Sequence, residues 1–247
     1  MRMRTFAAVV TGALAVTALT VPAAQADGRY GDTTITKVTV NGGKNVVVGT
    51  SGVKKFTVVL TAKDNSGIKD ADISLRGPAF GILTTSSTTC KSNTCTAKFV
   101  VDPKVDLLYG NDRAGTWYVD AWVNAKDGDF IWTEKAKSFK LQRQSKLTAN
   151  ASPEPVKKGK TITVTGKLTR ANWETFKYQG YGKQSVKLQF KKKGAKTYKN
   201  IKTVKSSSAG ALKTTVKATV DGHWRYSFAG TSSTPAVTSA ADYLDVK

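Results

Sequence analysis

The chain has 247 residues, with 39 Lys+Arg against 17 Asp+Glu for a formal net charge of +22, 40% hydrophobic residues, two Cys and one His. That hydrophobic content is enough for one or two packed domains and excludes a disordered polycation. One His and two Cys cannot assemble a four-ligand structural Cys/His zinc site, and histidine catalysis would rest on a single residue.

At the N-terminus, Arg2 and Arg4 precede an apolar stretch over 6–21, and Ala24-Gln25-Ala26 has the small-x-small pattern of a signal-peptidase site. The stretch is short for a bilayer span and is interrupted by Thr11, Gly12, Thr17 and Thr20, so 1–26 reads as a cleaved export signal. The expectation is a secreted protein starting at Asp27, with no transmembrane anchor in the mature form.

From there the sequence predicts short strands at 33–40, 54–62, 71–75, 96–101, 116–124 and 130–141, rich in Val, Ile, Thr and aromatics. Asp64, Asn65 and Asp70 lie between the second and third strands, Asp72 follows at the start of the third, and Asp127 and Asp129 lie between the last two. In an immunoglobulin-like sandwich these two connections share a pole, so hard oxygen ligands for calcium could converge there, although turn-forming Asp and Asn explain the same residues without a metal. Cys90 and Cys95 flank four polar turn-forming residues, and in an exported chain they are expected to form a disulfide that staples a hairpin.

Strand alternation places Trp117, Val119, Ala121 and Val123 on one face and Tyr118, Asp120, Trp122 and Asn124 on the other. A two-residue Asp127-Gly128 turn would set Val123 opposite Trp132 inside and Asp120 opposite Lys135 outside. Tyr118 and Trp122 would then make a small aromatic platform, or pack against lysine stems.

A Pro-containing stretch, 152–155, interrupts any continuous ladder, and strands resume at 161–168, 185–191, 198–204, 212–220, 223–229 and 243–246. The division expected is a sandwich over 27–143 and a second over 144–247. Between the strands, 169–183 reads as a long loop carrying Trp173, Phe176, Tyr178 and Tyr181. Burial against Leu107, Leu108 and Tyr109 of the first domain explains these aromatics without a ligand; stacking on sugar rings is the alternative.

Charge is divided unevenly: 27–143 holds 17 basic and 12 acidic residues, 144–247 holds 20 and 5. The outward positions Lys187, Lys191, Lys213 and Lys217, the run Lys191 to Lys193, and Arg225 form a candidate surface for anionic cell-envelope or extracellular polymers. Lysine suits diffuse attraction rather than bidentate recognition, and no nucleic-acid-binding motif is present. Edge lysines that block aggregation are the plainer account of part of this charge.

The segments TTITKVTVNGGK (33–44), DNSG (64–67), SPEPVKKGKTITVTGK (152–167) and DGHWRYSFAG (221–230), behind the export signal, resemble a family of small secreted actinobacterial proteins. That resemblance implies tandem immunoglobulin-like sandwiches and, for some members, a calcium-binding label without assigned ligands. The sequence therefore points to an all-β, two-domain, non-catalytic binding or structural protein. No nucleophile–base pair, catalytic carboxylate pair or phosphate loop supports an enzyme. Calcium is the one candidate cofactor, and a carbohydrate-binding module is the other alternative.

Overall fold

The computed structural model describes residues 27–108 and 110–247, so the segment 1–26 expected to be an export signal and Tyr109 lie outside the described residues. The first half contributes β1 (Asp27–Tyr30), β2 (Thr34–Val40), β3 (Val46–Val48), β4 (Lys54–Lys63), β5 (Ile68–Arg76), β6 (Ile82–Thr84), β7 (Ser87–Lys91), β8 (Thr94–Val101), β9 (Gly115–Ala125) and β10 (Phe130–Arg143). The second half contributes β11 (Ser145–Leu147), β12 (Asn150–Ser152), β13 (Thr161–Asn172), β14 (Lys177–Gly180), β15 (Ser185–Lys192), β16 (Lys199–Lys205), β17 (Ala211–Lys217), β18 (Gly222–Phe228), β19 (Val237–Thr238) and β20 (Asp242–Leu244).

These strands form two successive sandwiches. In the first, the sheet β1-β10-β9-β5-β6, with β3 added in parallel to β10, faces the sheet β2-β4-β8-β7. Alternation supplies the core: Phe56, Val58, Leu60 and Ala62 of β4 and Cys95, Ala97, Phe99 and Val101 of β8 meet Trp117, Val119, Ala121 and Val123 of β9. In the second, β13 pairs with β11, β12, β14 and β17, and the opposing sheet is β16-β15-β18 with β19 and β20 on β18. Its core contains Ile162, Val164, Leu168, Val186, Leu188, Leu212, Trp224, Tyr226 and Phe228. The tandem sandwich expected from the alternation is therefore the observed architecture.

Cys90 and Cys95 are directly opposite on β7 and β8 and are disulfide-bonded, with Cα atoms 4.0 Å apart.

Two local expectations are corrected. The β9–β10 hairpin holds three residues rather than two: the Ala125 amide donates to Asp129 O, leaving Lys126, Asp127 and Gly128 in the loop, with Gly128 at φ 97°. Glycine takes that conformation without strain, which favours the three-residue turn. The register consequently moves by one residue, so Trp132 pairs with Trp122 on the outer face and Val123 pairs with Ile131. The ladder then bulges between Thr133 and Lys137, and there the Lys135 amide donates to Asp120 Oδ1 at 2.9 Å. Asp120 and Lys135 thus meet through the bulge rather than as side-chain partners.

The second correction concerns 169–183. It is no loop: β13 runs on to Asn172, turns through 173–176 and returns as β14. The Asn172 side-chain oxygen accepts the amides of Glu174 and Thr175, closing that turn. β13 consequently serves both sandwiches. Leu168 belongs to the second core, whereas Ala171 and the adjacent Trp173 belong to the first.

Candidate functional site

The four aromatics of this segment go to different places. Trp173 is fully buried; its Nε1–H donates to Gly49 O at 3.0 Å and its amide donates to Asn111 Oδ1 at 2.9 Å. Asn111 Nδ2 donates in turn to Asn172 Oδ1 at 2.9 Å. Tyr178 packs against the first core and donates its hydroxyl to Gln144 Oε1, and Lys104 of the first sandwich lies over Phe176 at 6.0 Å. Tyr181 belongs to the second core, edge-on to Phe228 and 3.9 Å from the Arg170 guanidinium. The expected interdomain burial is thus found for Trp173, with Tyr178 half-buried against the same core, and Leu107 lies in the core that Trp173 enters. Leu108 remains 40% exposed. Trp173, buried on every side, is not a sugar platform.

The junction is hydrogen-bonded along its length. Arg143 Nε donates to Ala171 O at 2.6 Å, the Arg143 amide to Ser233 O at 3.0 Å, and Gln142 Nε2 to Thr231 O at 2.9 Å. Burial, with Arg170 nearby, lowers the Arg143 guanidinium to about 10.

The basic residues do not form one surface. On the sheet β16-β15-β18, Lys187, Gln189 and Lys191 alternate with the inward Val186, Leu188 and Phe190 and pair with Ser227, Arg225 and His223. Arg225 Nε donates to Gln189 Oε1 at 2.8 Å, and its guanidinium lies 3.5 Å from the centre of the Tyr198 ring. Lys191 Nζ approaches the same ring at 5.2 Å. On β16 the exposed Lys205 pairs with Ser185 and joins this face, whereas Lys199 and Lys202, also exposed, pair with Phe190 and Leu188 and lie on the other. A depression of about 280 Å³, lined by Lys187, Gln189, Asn200 and Ser227 among others, opens on this face.

Lys213 and Lys217 stand elsewhere, on β17 of the opposing sheet, paired with Thr165 and Thr161. Lys192 and Lys193 line a third location at one pole, with Lys158 and Asp221. Lys193 is itself partnered, 3.5 Å from Asp221 and over Tyr243, which raise its pKa. Sequence reasoning joined three places because alternation shows that a lysine points outward but not which sheet carries its strand. It also missed Tyr198, which braces Arg225 and Lys191 from just before β16.

The acidic residues are likewise regrouped. The two predicted connections do share a pole, since the Lys126 amide donates to Gly67 O and the Asp127 amide to Ser66 Oγ. The carboxylates that converge there are Asp32, Asp64 and Asp129, with one oxygen from each within 4.8 Å of the others. Asp64 Oδ1 accepts the amide and hydroxyl of Ser66 and its Oδ2 accepts the Thr33 hydroxyl at 2.6 Å, bonds that hold its pKa down to about 2. Asp32 is shifted upward, by desolvation and then by its hydrogen bond and charge contact with Asp64. Asp127 Oδ1 instead accepts the Asp129 amide, while Asp70 and Asp72 lie along β5, where Asp70 accepts from Asn124 and Asp72 pairs with Trp122. Asn65 is exposed in the turn. Asp32 was overlooked because it precedes β2, far in sequence from the turns it joins.

No protein-family profile and no curated protein sequence matches the chain. Among solved structures, the chain is similar to a DUF4785 family protein from Legionella pneumophila at 16% identity and TM-score 0.41, covering 77% of this chain and 51% of that one. FdeC, an Escherichia coli adhesin, is similar at 16% identity and TM-score 0.36, covering 87% and 66%. The D0–D1 domains of intimin are similar at 17% identity and TM-score 0.29, covering 85% and 98%. Likenesses at this level carry no argument about what the chain does, and the tandem sandwich rests on its own sheets. Among the described residues, no helix is long and apolar enough to cross a membrane.

Proposed function

We propose that the protein is a non-catalytic, exported binding protein whose second sandwich associates with anionic cell-envelope or extracellular polymers through the outer face of β16-β15-β18. The carrying observation is the composition of that face. Lys187, Lys191 and Arg225 share it with Lys205 of β16, and none of the five acidic residues of 144–247 falls within β15, β16 or β18. A face of one sign concentrates a polyanion by long-range attraction without requiring a shaped pocket. Bracing by Gln189 and Tyr198 holds Arg225 in place before any contact forms.

The test is retention of the mature chain on a purified anionic wall fraction. The reading expects binding that weakens with salt, survives chelation and is lost in Lys187→Glu/Lys191→Glu but kept in Lys213→Glu/Lys217→Glu. Equal loss in both pairs would remove the assignment to one face.

A second reading, calcium binding at the pole of the first sandwich, is favoured by the convergence of Asp32, Asp64 and Asp129. Three carboxylates supply fewer than the six to eight oxygens calcium takes, so water or loop carbonyls would complete the shell. This reading replaces the ligand set Asp64, Asn65, Asp70, Asp72, Asp127 and Asp129 with one that shares only Asp64 and Asp129. Calcium titration followed by thermal unfolding tests it, because an ion bound only by the folded state raises Tm. No shift at millimolar calcium would end it.

A further inference from the structure

The outer face of β1-β10-β9-β5 carries a second surface, opposite in character to the lysine face. Tyr30, Phe130, Trp122 and Trp132 form a continuous row across three strands. Tyr30 and Phe130 rings stack at 6.2 Å, Phe130 and Trp122 at 5.1 Å, and Trp122 and Trp132 at 6.3 Å. Tyr30 is 64% exposed and Trp122 39%. Leaving such rings in water forgoes the stabilisation that burial would bring.

The row is fixed in place. Trp122 Nε1 donates to Asn124 Oδ1 at 2.8 Å, and Asn124 Nδ2 donates to Asp70 Oδ1 at 2.6 Å, so a relay from β5 holds the indole in one orientation. Asp72 stands beside Trp122 in register. The face therefore presents apolar rings flanked by hydrogen-bond acceptors, in a rigid arrangement that lowers the entropic cost of binding.

We infer that this face binds a neutral polysaccharide chain, the apolar C–H faces of its sugars lying on the aromatic row and its hydroxyls donating to Asp70 and Asp72. Charge selects this occupant over the alternatives. Asp70 and Asp72 repel the polyanions that the lysine face attracts, and a lipid tail would strip water from these carboxylates without replacing their hydrogen bonds. A second copy of the chain is opposed by the repulsion between two mature molecules, each with 37 basic against 17 acidic residues, a net charge of +20. Hydroxyl groups satisfy the carboxylates and carry no charge to be repelled. The two polymer surfaces lie on different sandwiches, so either can fail without the other.

The experiment is affinity electrophoresis of the mature chain in gels containing hydroxyethyl cellulose, mixed-linkage β-glucan or glycol chitin, with polyglucuronate as the acidic control. Retardation is expected in at least one neutral polymer, with affinity weakened about tenfold or more by Trp122→Ala and by Tyr30→Ala. Tyr30 is an exposed edge-strand residue, so its variant keeps the fold, which thermal unfolding checks. Asp72→Ala should weaken retardation while leaving the rings intact, and Lys187→Glu/Lys191→Glu should leave it unchanged. The inference is overturned if no neutral polymer retards the chain, if the Trp122 and Tyr30 variants migrate as the parent does, or if the face retains a lysine-rich peptide instead.

Discussion

Replacing Trp173 by Ala should do more than open a cavity. The side chain is fully buried, yet it comes from the β13–β14 turn of the second half and fills the core of the first. Truncating a buried Trp costs about 3–5 kcal/mol, and loss of the indole N–H leaves Gly49 O without that donor at about another 1 kcal/mol. In a chain of this size, about 4 kcal/mol corresponds to a fall in Tm of roughly 8–16 °C. Because Trp173 joins the two cores, the fall should come with loss of cooperation between them: calorimetry should resolve two transitions, and small-angle scattering should show larger dimensions. Trp173→Phe, which keeps most of the apolar volume, should lose only about 1 kcal/mol and remain compact. A Trp173→Ala protein with unchanged dimensions and a stability loss below about 1 kcal/mol would refute the claim that this residue ties the sandwiches together.

Three further outcomes are expected. Reducing the disulfide, or Cys90→Ser/Cys95→Ser, should cost about 2 kcal/mol on the loop-entropy account without separating the sandwiches, as denaturant unfolding would show. Asp64 is held down to about 2, below its unfolded value of 3.8, so its contribution is present above pH 4 and is lost as pH falls toward 2; Ser66→Ala should shrink that acid-dependent loss in pH-series unfolding. Tyr226, whose hydroxyl donates to Val164 O, is pushed up to about 12 by burial, so the unfolded chain deprotonates first and stability should fall between pH 10 and 12. Tyr226→Phe should flatten that alkaline limb.

What the sequence revealed follows from what strand periodicity encodes. Alternation identified the inward row of β9 because that strand is long enough for a period of two to be visible. It could not identify short strands such as β3 and β12, which exist because a neighbour offers an edge. The β9–β10 register failed at one turn, where a glycine at positive φ admitted a third loop residue and sent Trp132 to the outer face. That slip concealed the aromatic row, since in the two-residue register Trp132 counted as core. The acidic pole was half legible: its turns were named, but Asp32 joins them only through the fold. The lysines were recognised as exposed, and their division among three places depends on strand order, which no local pattern records.

The central claim, that one face of the second sandwich holds a polyanion by charge, is tested most directly by the slope of log affinity against log salt for the mature chain on a purified anionic wall polymer. Counterion release ties that slope to the number of cationic contacts, about one per lysine. Lys187→Gln/Lys191→Gln should therefore reduce it by about two, while Lys213→Gln/Lys217→Gln should leave it unchanged. A flat salt dependence in the parent chain, or an equal reduction in both variants, would contradict the claim.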